Sequence, residues 1–170
     1  MASTEFSVSA DRTVKVVTGL VIILFIGITF MPLILPHGDE TGKWVTIGTT
    51  ILIWGTAIFS WMLHPTGYQI EKGRLLIKRP AGERSIVFNE IKEILMPEDS
   101  SMRWSLRLFG SGAFFGYFGK FMNKAFGTMT WYATRLTGFV LVRLKSGETV
   151  ALTPDDSTFA DQLRSAAGLA

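Results

Sequence analysis

The sequence predicts a two-helix transmembrane hairpin followed by a mainly β domain, a barrel or sandwich, capped by a C-terminal α-helix. Three observations carry this expectation. Residues 16–35 and 44–63 are two runs of twenty without a charged side chain. From Pro65 onward the chain breaks into short apolar segments divided by turn residues. Near Thr153 the pattern changes from a two-residue period to the helical one. The chain therefore divides into an N-terminal tail (1–15), a helical hairpin (16–64, spans 16–35 and 44–63) and a domain over 65–170.

Composition narrows the possibilities. The net charge of the 170 residues is +3, unevenly spread. Residues 1–64 carry three cations and four acids, and residues 65–170 carry fourteen and ten. With no cysteine, a disulfide framework, a thiol nucleophile and a cysteine-ligated metal are excluded.

The tail is short, polar and mixed in charge, and is expected to be loosely held. About twenty apolar residues cover the hydrocarbon core of a bilayer, and a single such run satisfies its backbone there only as a helix. The first run lacks the cleavage site of a signal peptide. A polar turn at 36–43 leads to the second run, which has Trp44 and Trp61 near its ends, where indoles favour the interface. Arg12 and Lys15 precede the first run, and Lys72, Arg74, Lys78 and Arg79 follow the second. The positive-inside rule then places both termini and the domain on the cytoplasmic side. Gly48, Thr49, Gly55, Thr56 and Ser60 follow helical spacing, as expected where helices approach closely, whether each other or a partner. Neither span contains an Asp, Glu, Lys or Arg, which argues against a transporter or channel.

In the domain, segments 68–71 and 74–78 flank Lys72-Gly73, a hairpin signal. Segments 84–88 and 91–96 follow. Residues 102–108 alternate apolar and polar side chains, the period of a half-buried strand. Segments 128–134, 139–145 and 148–152 bring the strand candidates to eight, the last two joined by a tight Ser146-Gly147 turn. Thr153 reads as an N-cap with Pro154 at the first helical position and Asp155 and Asp156 in the first turn. Phe159, Leu163 and Ala166 form one apolar face, and Gly168 is the expected stop.

The stretch 109–121, Phe-Gly-Ser-Gly-Ala-Phe-Phe-Gly-Tyr-Phe-Gly-Lys-Phe, fits neither an ordinary helix nor an ordinary strand. It lies in a window, 100–147, with seven cations and no acid. Three readings stay open for it: gap-filling against the domain or spans, contact with the bilayer interface, or contact with a partner or second copy. The candidate contact residues are Phe109, Phe114, Phe115, Tyr117, Phe118, Lys120, Phe121 and Lys124, with Arg103 and Arg107. Nucleic acid is not expected, because the domain is tied closely to the bilayer and no recognition motif is present. His37 and His64 have no metal-ligand spacing with another candidate, so no catalytic residue, metal or cofactor is expected.

Several pieces resemble the bacterial pleckstrin-homology-like domains that follow membrane spans. They are Leu75-Leu-Ile-Lys-Arg-Pro80, the glycine-aromatic stretch 109–119, Tyr132-Ala-Thr-Arg135 and Thr153-Pro-Asp-Asp-Ser-Thr-Phe159. The resemblance covers about residues 65–168. It implies a seven-stranded curved barrel plugged by the last helix, with 100–127 as an insertion. It also implies a non-catalytic binding or scaffold role at the bacterial inner membrane, with a protein partner or a second copy. Eukaryotic relatives bind phosphoinositides through basic residues on the first hairpin, and Lys72, Arg74, Lys78 and Arg79 occupy comparable places. An anionic-lipid-sensing module is therefore the alternative.

Overall fold

In the computed structural model, residues 3–34 and 40–169 are described. The first half of the polar turn expected at 36–43 lies outside them, and its second half is already helical. Helix α1 (Arg12–Ile34) and helix α2 (Glu40–Leu63) take up the two charge-free runs. Helix α1 begins ahead of its run because Asp11 Oδ1 accepts the Val14 N–H at 2.7 Å, occupying a donor that helix geometry leaves unpaired. Both helices are long and apolar enough to cross a membrane, with mean hydropathy 2.4 over Arg12–Pro32 and 1.5 over Glu40–Leu63.

The two helices meet through Trp54. Its Nε1 donates to Thr29 Oγ1 at 3.0 Å, and its ring meets Phe25 edge-on with centroids 6.4 Å apart. Gly48, Gly55 and Thr56 do not make this contact. A Cβ built on Gly48 or Gly55 would meet nothing within 4 Å, and Thr56 turns its hydroxyl back onto Leu52 O.

The domain contains strands β1 (Thr4–Phe6), β2 (Gly67–Glu71), β3 (Arg74–Lys78), β4 (Arg84–Val87) and β5 (Ile91–Leu95). After the short helix α3 (Asp99–Met102) come β6 (Leu106–Gly112), β7 (Tyr117–Asn123), β8 (Gly127–Ala133), β9 (Val140–Leu144) and β10 (Thr149–Leu152), then helix α4 (Phe159–Ala167). The strands form two sheets, ordered β1-β2-β3-β4 and β5-β9-β10-β8-β7-β6. They stack as a sandwich, and no closed barrel forms among the described residues. The second sheet continues past β8 through β7 to β6, which is an edge strand with no further mate among the described residues.

Three further expectations change, and the conformation left open at 100–127 is filled in. The tail is not loose: β1 pairs antiparallel with β2, Thr4 opposite Ile70, and buries Phe6 against Phe159. The alternation at 102–108 spans two elements, since Met102 ends α3 and the strand begins at Leu106. The insertion at 100–127 builds two strands of the sheet. Helix α4 starts at Phe159 and not after Thr153, whose hydroxyl accepts the Thr134 N–H at 3.0 Å and whose own N–H donates to Tyr68 Oη. Asp155 is correspondingly no first-turn acid; it pairs with Arg135 at 2.9 Å and accepts from Ser9. Gly168 does end the helix, in the left-handed conformation at φ 67°.

Two cores result. The first lies between the sheets under α4 and takes Val140, Val142, Val150 and Leu152 from β9 and β10, with Tyr68, Ile77, Phe159 and Leu163. The second lies on the opposite face of the larger sheet and takes Leu141, Ala151, Met129 and Trp131, with Tyr117, Phe121, Met102 and Val14. Strands buried on both faces read as continuous apolar runs. That accounts for Val140-Leu-Val and Val150-Ala-Leu, where alternation is absent.

Candidate functional site

The β6–β7 hairpin concentrates the candidate residues. Gly110 and Gly119 sit opposite each other across it, at φ 108° and 117°. A Cβ on Gly110 would fall 2.1 Å from Phe118 O, and one on Gly119 would fall 2.3 Å from Phe109 O. No other residue fits this approach at either position.

At the tip the chain turns with Ala113 and Phe115 at positive φ, 127° and 61°. Such strain persists only where the surroundings hold it. Ser111 Oγ donates to Phe114 O at 2.7 Å and accepts from Phe114 N at 3.1 Å. Thr18 on α1 completes the hold: its hydroxyl accepts the Phe115 N–H at 2.9 Å and donates to Ala113 O at 3.4 Å. The Phe114 ring meets Phe25 at 6.1 Å, and Phe115 meets His64 at 6.0 Å. Phe25 is seven residues beyond Thr18, about 10 Å along the helix. The tip is therefore wedged along the apolar part of α1 and touches the end of α2.

The opposite end is different. Leu106 is six residues from Gly112, about 20 Å along an extended strand. There Trp104 is 85% exposed, with Leu106, Leu108 and Met122 also exposed, and Phe109 at 76% follows along the same free edge. The open polar edge of β6 and this apolar row coincide.

The remaining candidates divide by face. Tyr117, Phe118 and Phe121 are buried. Tyr117 Oη donates to Asp11 Oδ2 at 3.3 Å, and burial, then the Asp11 charge, push its phenol up to about 12. Lys120 donates to Thr130 Oγ1 at 2.8 Å and lies 3.8 Å from Glu148. Glu148 also accepts from Arg84 at 2.7 Å, joining the two sheets. Burial pushes the Glu148 carboxyl up, but hydrogen bonds from Arg84 and Thr130 outweigh it and hold the group below its ordinary value. Lys124 is exposed in the β7–β8 turn. Arg103 and Arg107 line a cavity of about 780 Å³ with Met102, Tyr117, Phe121 and Trp131.

The basic residues of the first hairpin do not form one patch. Lys72 and Arg74 sit at the β2–β3 turn, where Arg74 faces Glu71 at 3.8 Å. Lys78 and Arg79 sit at the other end of β3, next to α2, where Thr66 N donates to Lys78 O and Ala81 N to Met62 O, both at 2.9 Å. Lys78 is paired with Glu5 at 2.7 Å, and Arg79 lies 5.6 Å from the Tyr132 ring.

Sequence reasoning missed two parts of this site. Thr18 and His64, the seat of the hairpin tip, carry no signal, because a threonine inside an apolar run reads as helix packing. The exposed Trp104–Met122 end was masked by its alternation, which marks a strand but not whether that strand is an edge.

A family model described as bacterial PH domain matches residues 66–167. Neither the curated proteins nor the solved structures gave a significant match.

Proposed function

Because the chain belongs to the bacterial PH domain family, we propose that it is a membrane-anchored, non-catalytic scaffold whose domain makes protein contacts at the cytoplasmic face of the inner membrane, with a partner or a second copy. One observation carries the reading: the exposed apolar row Trp104, Leu106, Leu108, Phe109 and Met122 along the free β6 edge. Its Leu106 end lies about 20 Å along the strand from the tip that meets α1. Aromatic side chains of this kind anchor protein interfaces, and an open strand edge accepts another strand. Attachment by two spans also leaves the domain no need of lipid affinity to stay at the membrane.

The test is purification of the full-length protein from its native membrane in mild detergent. A defined oligomer or a stoichiometric complex is expected, and Trp104→Ser with Phe109→Ser should dissociate it without lowering the melting temperature. A monomer without a stoichiometric partner, or a complex indifferent to both changes, would overturn the reading. The second reading, anionic-lipid sensing, rests on Lys78 and Arg79 beside the end of α2. It requires salt-sensitive binding of anionic vesicles that Arg79→Gln weakens.

A further inference from the structure

We propose that the cavity between β6, α3 and the loop at Leu136 binds an amphipathic anion: one negatively charged head on an apolar body. This site is on the opposite face of the hairpin from the partner row and is independent of it. Its floor is the Phe121–Trp131 stack, centroids 4.1 Å apart and rings 12° from parallel. At its rim stand Arg103 and Arg107, neither in an ion pair among the described residues. The one rim carboxylate, Asp99, is engaged through Oδ1, which accepts the Gly138 N–H at 2.8 Å.

Two details of the lining are unusual. A Cβ on Gly112 would come 2.9 Å from Arg107 Nη1, so glycine leaves room for the guanidinium to lie across the sheet. Trp131 is 2% exposed, yet its Nε1 has no acceptor among the described residues, an uncommon state for a buried donor. The volume of about 780 Å³ suits a small molecule. An inorganic anion would leave Leu136, the half-exposed apolar side chain of the lining, uncovered, and a neutral apolar ligand would leave the two guanidiniums unmatched. Only a molecule with both features answers both. It could be a single-chain lipid from the leaflet or a soluble aromatic acid, and the two sources share this chemistry.

The experiment titrates the full-length protein in neutral dodecyl maltoside micelles with dodecyl phosphate, 2-naphthalenesulfonate and inorganic phosphate, read by native mass spectrometry. One dodecyl phosphate or one naphthalenesulfonate per chain is expected, and whichever binds tighter identifies the source. Arg103→Gln with Arg107→Gln should weaken binding about tenfold or more, the scale of one charge-assisted hydrogen bond. Gly112→Ala keeps every charge and should weaken it too, by displacing Arg107. Inorganic phosphate that saturates the site equally well overturns the proposal. So does binding unchanged in the double variant, or no binding of either amphiphile. If Gly112→Ala loses binding only together with its melting transition, Arg107→Gln decides alone: unchanged binding there also overturns it.

Discussion

Tyr68 shows how much one hydroxyl holds. It is fully buried between the sheets, donates to Tyr132 O and accepts the Thr153 N–H at 3.0 Å. Burial pushes its phenol from 10.0 up to about 12, and the hydrogen bond from Thr153 only partly offsets this. Folded Tyr68 thus keeps its proton where the unfolded chain loses it. Its contribution is complete below pH 10 and declines as pH rises towards 12. Melting of the detergent-solubilised protein across this range should show the decline. Tyr68→Phe should flatten the decline and cost about 1–3 kcal/mol at neutral pH, since Thr153 N–H and Tyr132 C=O lose their partner. The same threonine shows where local reading stops. Thr153-Pro154 has the chemistry of a helix start, but here the hydroxyl meets Thr134, nineteen residues away, a partner that local spacing does not reveal.

At the scale of elements, what was legible depended on short range. The Lys72-Gly73 hairpin follows from one glycine at φ 82°, and the solid runs of β9 and β10 follow from two covered faces. Strand β1 was not legible, because Phe6 is its one buried side chain and its partner strand lies beyond both spans. Nor was the hairpin of β6 and β7, whose strand residues include glycines at positive φ that normally interrupt strands. Residues 109–121 divide by position: the tip meets the spans, Tyr117 and Phe121 lie in the second core, and Phe109 is exposed. The seat at Thr18 is the element's most testable joint. Thr18→Val keeps the shape and removes both hydrogen bonds to the tip, at a cost of about 1–2 kcal/mol. Hydrogen exchange at the Phe115 amide should rise, while amides in β9 and β10 stay protected. Unchanged protection at Phe115 would show that the ring contacts hold the tip without Thr18.

At the scale of the whole molecule, β1 and β2 flank the helix pair and belong to one sheet, so the two ends of that pair lie on the same side. Residues 7–14 reinforce the closure. Ser9 binds Asp155, Thr134 binds Ser9 O at 2.9 Å, and Val14 is buried in the second core. An exposed row along a domain held in this way would present the same orientation to every neighbour in the membrane plane, which suits the scaffold reading. The closure also bears on how the chain matures. Strand β1 is synthesised first but has no mate until both helices and β2 have emerged, so the domain completes only after the hairpin has been threaded. Once complete, the covalent link between α1 and α2 becomes dispensable. A protease site introduced into the connection at 35–39 and cut after folding should leave two fragments that co-purify and melt as one body. Their separation on a sizing column would mean that β1 and the Thr18 seat hold less than the described contacts imply. In that sense the N-terminal fragment is a clasp, and the protein is one that a single cut would nick without undoing.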